Sequence, residues 1–202
     1  MASFLLRCTI KPAGGVTQGQ KLTVPFTAGA TGAWKDDICA CTRYGICHPS
    51  FINALCCPLI LLGQVMTRFQ LDWLARPAAE SQFKKTFAIT VCITIAYAIL
   101  QIVLSPSDPD QDTPGVLYNM VSLTYGIFML LLVTKMRRIV REQNAIPETR
   151  CGGMEDFCCA FWCGCCTISQ LARQTTDYDI KDGRFFTNDG LPPNIEAPIV
   201  TV

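Results

Sequence analysis

The chain has 202 residues, a net charge of +1, 16% charged residues and 50% hydrophobic residues. That length bounds it to one domain, or one small domain wrapped around a membrane hairpin, and the balanced charge gives no global field for nucleic acid. The apolar excess points to a membrane protein, and thirteen cysteines, an odd number, cannot all pair within one chain.

Residues 1–33 are rich in Gly, Ala and Thr without a sustained period, and read as an irregular segment. Phe4-Leu5-Leu6 falls short of a signal-peptide core, and Ala2 does not fit a myristoylation signal. A cysteine-rich membrane domain then runs over 34–178. Its first cluster holds Cys39, Cys41, Cys47, Cys56 and Cys57. Residues 51–66 are apolar apart from Asn53 and Gln64, with Pro58 inside. They predict an interfacial or partly embedded helix kinked near Pro58; a buried core helix is the alternative.

Residues 86–104 and 116–134 carry no charge and number 19 each. A helix of that length reaches about 28 Å, close to the thickness of the hydrocarbon core. Between them, residues 105–115 hold three prolines, Asp108, Asp110 and Asp112, a stretch no helix continues through. The pair reads as a transmembrane hairpin. Lys84 and Lys85 precede the first span, and Lys135, Arg137, Arg138 and Arg141 follow the second. That bias places both termini in the cytosol and the loop outside. The expected fold is thus an all-α membrane protein, with cytosolic cysteine-rich segments and an interfacial helix beside the hairpin.

Residues 135–150 continue the second helix out of the membrane toward Pro147. The second cluster follows, with Cys151, Cys158, Cys159, Cys163, Cys165 and Cys166. The hairpin returns the chain to its starting side, so the two clusters can meet. Cytosolic thiols stay reduced, which disfavours disulfides and favours ligation of zinc or another soft divalent ion. Neither cluster has the CxxC spacing of a zinc ribbon, so packing of small apolar thiols and acylation stay open beside metal binding. On one continuous helix Cys159, Cys163, Cys166 and Gln170 would share a face, with Cys158 and Cys165 beside it. His48 is the only histidine; it reads as a ligand or as an ordinary hydrogen-bonded residue. Residues 179–202, with Gly183, Gly190, Pro192, Pro193 and Pro198, read as a mostly disordered tail.

Thr86, Thr90, Thr94, Tyr97 and Gln101 step along one face of the first span. Asn119 and Ser122 offer a polar face on the second. Such stripes either pack against a helix or line an ion path in an oligomer. No GxSxG, HExxH or phosphate loop is present, and nothing reads as an enzyme.

Trp34-Lys-Asp-Asp-Ile-Cys39-Ala-Cys41, then Cys56-Cys57-Pro58 running to Gly63-Gln64, resembles the opening of the cysteine-rich placenta-specific-eight family. This family includes plant cadmium resistance and cell number regulator proteins, and cornifelin. Arg137-Arg138-Ile-Val-Arg141, with Asp156-Phe-Cys158-Cys159 and Cys163-x-Cys165-Cys166-x3-Gln170, resembles its closing half. The resemblance implies a small membrane protein, often at the plasma membrane, associated with divalent-metal resistance, calcium uptake or control of cell number, and a homo-oligomer. The chain departs from the plant members' Cys-Pro-Cys: Leu59 follows Pro58, and Phe51 stands where an upstream cysteine is common. Two functions remain: a metal-binding protein of ion transport or resistance, and a membrane-anchored signalling adaptor with a structural zinc site.

Overall fold

The computed structural model describes residues 32–105, 114–148, 151–179 and 182–192. Most of the N-terminal segment, the loop over 106–113 and the last ten residues lie outside that set. Among the described residues there are six α-helices and no strand. They are α1 (Pro49–Cys56), α2 (Pro58–Arg68), α3 (Glu80–Leu104), α4 (Pro114–Gln143), α5 (Glu155–Trp162) and α6 (Gly164–Gln174), with a 3-10 turn at Cys151–Gly153 before α5. The fold is an all-α membrane hairpin with a helical body at one end.

α3 and α4 are the hairpin. Both are long and apolar enough to cross a membrane, and only 11% of each apolar window is buried within the protein. A core helix of a soluble protein would be largely covered. Ile95, Ile99, Val103, Leu117, Met120 and Leu123 lie exposed along them. The stripe on α3 faces protein. Thr86 Oγ1 donates to Leu71 O at 2.8 Å, Thr90 and Thr94 return their hydroxyls to Phe87 O and Thr90 O, and Gln101 Nε2 donates to Ser122 Oγ at 2.7 Å. Tyr97 stacks on Tyr125 with ring centres 3.8 Å apart. Asn119 is exposed.

The helix expected at the interface is two helices. Cys57 leaves helical geometry at φ −137°, ψ 61°, and its N–H closes α1 on Asn53 O. Asn53 Nδ2 and Gln64 Nε2 both donate to Phe185 O, at 3.1 and 2.9 Å. Eleven residues of straight helix would separate them by about 16 Å, so the chain folds back at Cys57. α2 is buried from Leu59 to Met66. It packs on α3 and α6. Gly63 permits this approach: a Cβ there would lie 2.2 Å from Thr90 Oγ1.

The segment read as a disordered tail is corrected over 182–192. Backbone carbonyls of Arg184, Phe185 and Thr187 accept from Gln64 Nε2, and Asp189 O accepts from Arg68 Nε at 2.6 Å. Leu191 is buried. The body therefore extends past the boundary expected at 178.

Replacing Gly63 with Ala should lower the melting temperature in detergent, because overpacking of this kind costs about 1–3 kcal/mol. Thr90→Ala in the same chain should restore part of the loss. Equal melting of Gly63→Ala and the parent would show that α2 does not pack this closely.

Candidate metal centre

The second cluster is built on the turn at 151–153, on α5 and on the start of α6. The face expected to join Cys159, Cys163, Cys166 and Gln170 is interrupted. α5 ends at Trp162, Cys163 sits at φ −148°, ψ 71°, and α6 starts at Gly164. Cys159 does not join the sulfur of Cys166 in one group. The same break draws Cys163, Cys165 and Cys166 together, with their sulfurs all within 4.8 Å of one another. Cys163 and Cys166 are joined as a disulfide, their Cα atoms 5.3 Å apart, and Cys165 Sγ lies 3.8 Å from Cys163 Sγ. The hinge brings these residues, three apart in the chain, within bonding reach. Reduced, the three present a thiolate set suited to a soft or borderline ion.

The remaining cysteines do not join that group. A hydrogen bond between the free thiols of Cys158 and Cys151, with a smaller desolvation effect, pushes the Cys158 pKa up. Burial raises the Cys159 thiol, against the Arg137 guanidinium that lowers it. Neutral thiols of this kind are poor nucleophiles and act as small apolar residues. In the first cluster Cys41 Sγ donates to Ile38 O at 3.3 Å. Cys39, Cys47 and Cys56 are exposed, and Cys57 is half-buried at the hinge. Among the described residues no thiol of the first cluster comes within ligand distance of the second-cluster trio. The segments carrying the clusters do pack together, but through other groups.

Those groups are buried charges that the sequence did not single out as site residues. Arg137, at the lower end of α4, lies 4.3 Å from the Trp34 ring centre. Its Nε meets Asp156 Oδ1 at 3.2 Å, and its Nη1 donates to Gln170 Oε1. Arg141 Nε donates to the other Asp156 oxygen at 3.0 Å. Arg173 Nε meets Asp36 Oδ2 at 3.3 Å, while Gln170 Nε2 donates to Asp36 O. The visible signal was the pairing of basic residues after the second span with an acid inside the second cluster, between Cys151 and Cys158. Topology absorbed the bases, and nothing assigned the acids.

His48 is a helix cap. Its Nδ1 accepts from Ser50 N at 3.3 Å and lies 2.7 Å from Ser50 Oγ. It lines an open cleft of about 740 Å³ with Cys47, Asp182 and Arg184, but these do not converge as a ligand set. Burial pushes the His48 pKa below its ordinary 6.5, against the opposing pull of Asp182.

A model of the PLAC8 family matches residues 34–174. No curated protein and no solved structure matches the chain.

Because the folded pKa of His48 is the lower one, the unfolded chain takes up the proton first. Its contribution to stability is present above about pH 6.5 and is lost as pH falls through the folded value. His48→Asn keeps a capping acceptor without the titration. Melting curves of the variant should fall less steeply on acidification than those of the parent; identical slopes would assign the acid sensitivity elsewhere.

Proposed function

The chain belongs to the PLAC8 family, and on that premise we propose that it binds a divalent or soft metal ion at Cys163, Cys165 and Cys166 and takes part in metal-ion transport or resistance. The observation that carries this reading is the convergence of three sulfurs within 4.8 Å. Three thiolates leave one position of a tetrahedral ion open, the coordination expected of a site that exchanges its ion rather than one that locks it. The working form is a homo-oligomer in the plasma membrane with both termini cytosolic. The reducing cytosol would then supply the thiol reductant that opens the Cys163–Cys166 bond.

Full-length protein purified with a thiol reductant should contain zinc by elemental analysis. Replacing Cys163, Cys165 and Cys166 together with Ser should remove most of it. Replacing Cys39 and Cys47 should leave it in place. Unchanged metal in the triple variant would overturn the site.

A second reading is favoured by the state of the polar stripe. Thr86, Thr90 and Thr94 bond to carbonyls within the chain, and Gln101 bonds to Ser122. A membrane-anchored adaptor with a structural zinc site needs no path. Zinc, cadmium or calcium flux into liposomes holding the reduced protein separates the two. Transport expects flux that falls in the triple cysteine variant; the adaptor expects bound metal and no flux.

A further inference from the structure

Two parts of the body repeat one another. α1 and α5 are eight residues each, and α2 and α6 are eleven. Each pair is joined by a single cysteine of nearly the same conformation, Cys57 and Cys163. Each of these donates its N–H to the carbonyl four residues back. Seven residues beyond each hinge stands a buried glutamine, Gln64 and Gln170, whose amide nitrogen donates to backbone carbonyls from a distant segment.

Both pairs carry their hinges up beside the charge-free part of α3 and α4, away from its basic end. Lys85 and Lys135 bracket the charge-free spans, and Lys135 Nζ donates to Leu74 O at 2.9 Å, just beyond the lower end of α2. From there α2 climbs antiparallel to α3. Leu71 pairs with Thr86, and Gly63 meets Thr90. Thr90 stands four residues up α3 from Thr86, and Cys57 six residues up α2 from Gly63, so the first hinge lies about 10–15 Å past the charged boundary. The second hinge also lies inside the boundary, at a shallower depth. Gln170 of α6 is bonded to Arg137, just below that boundary. Cys163 is seven residues up α6, about 10 Å nearer the membrane interior.

The side chains at the hinges are apolar and uncovered. Leu55 is 62% exposed, Phe161 59% and Trp162 70%. The part of α3 above the first hinge, 95–104, reaches only about 15 Å, half of a hydrocarbon layer about 30 Å thick. With the body held wholly in water, the hairpin would be too short to cross. We propose that α1–α2 and α5–α6 are a matched pair of re-entrant hairpins, their hinges seated in the acyl region of one leaflet with Leu55, Phe161 and Trp162 against lipid tails. The occupant is set by continuity with the exposed apolar surface of α3 and α4. This holds whether or not the thiols bind metal.

Trp162 provides the test. Full-length protein is reconstituted in phosphatidylcholine vesicles brominated midway along the acyl chains, and tryptophan emission is compared with unbrominated vesicles. Of the other two tryptophans, Trp34 is covered by Arg137, and Trp73 is half-buried beside Leu74 at the level of Lys135, so the Trp162→Phe difference isolates the hinge. The parent should lose a distinct part of its emission to bromine and keep that part in aqueous iodide. Trp162→Phe should abolish most of the bromine-sensitive part, and adding Phe161→Trp should bring it back. Circular dichroism and elution position confirm that each variant is folded. Bromine quenching unchanged by Trp162→Phe, or iodide quenching of Trp162 in the parent, would overturn the proposal. Protection from both quenchers would overturn it too, in favour of a second copy covering the hinges.

Discussion

The guanidinium of Arg137 is enclosed by Trp34, Asp156 and Gln170, and the side chain is 3% exposed. Taking a cation out of water costs several kcal/mol unless partners replace its hydration. Here they come from three other parts of the chain. Trp34, at the start of the cysteine-rich domain, supplies the ring, α5 the carboxylate and α6 the amide. Once α4 places Arg137 below the membrane boundary, those three elements have to converge on it. Asp156 is shared with Arg141, and Gln170 also donates to Asp36 O, so the same groups align α6 with the segment that opens the first cluster. The Asp36–Arg173 pair closes the ring of contacts. Arg68 is solved differently: its donors go to Asp189 O, Ala172 O and the hydroxyls of Thr175 and Tyr178. Ala172 O lies in the last turn of α6, where the helix dipole favours a cation. These buried arginines draw their partners from both cysteine segments, so the segments are joined through arginines rather than through shared thiols.

The spans were legible because two constraints agree there: an uninterrupted apolar run of bilayer length, and charges at one pair of ends. The hinges were harder to read. Pro58 announced a break in the first apolar run, but the fold-back to a common acceptor at Phe185 O is a tertiary fact that no local pattern carries. At the second hinge the pattern misled. Spacings of four, three and four over Cys159, Cys163, Cys166 and Gln170 fit a continuous helix, and Gly164 was the only local sign against it. The segment 182–192 was missed for another reason. Its contribution is backbone carbonyls, aided by Gly190 at φ +72°, where a Cβ would meet Arg68 and Gln64 at 2.8 Å. A glycine- and proline-rich composition looks the same whether a segment is loose or is used as a ladder of acceptors.

The polar stripe shows how one pattern serves two readings. Threonine hydroxyls returned to carbonyls one turn back cost little in an apolar medium and need no partner helix. Thr90 does this while lying against Gly63, so the hydroxyl nearest the body is enclosed by backbone. Higher up, Tyr97 and Tyr125 stack and Gln101 reaches Ser122, closing the seam between α3 and α4. A path for ions therefore fits poorly within one hairpin. On the transport reading it would form between copies, where Asn119 is an exposed polar group on α4.

The proposed hinge depth bears directly on the thiols. Cys163, Cys165 and Cys166 stand at the inserted end of α5–α6, where an apolar medium disfavours an isolated charge. In that medium the trio has three stable conditions: protonated thiols, the Cys163–Cys166 disulfide, or a cation that offsets the thiolate charge. Each avoids isolated anions, and only the last gathers all three sulfurs on one centre. A soft ion held there would sit at the edge of the bilayer rather than in the cytosol, already partly stripped of water by the seat of the hinge. The dehydration that opposes entry of a divalent ion into a membrane would then be met at the binding step, by sulfur ligands, before any movement across the layer.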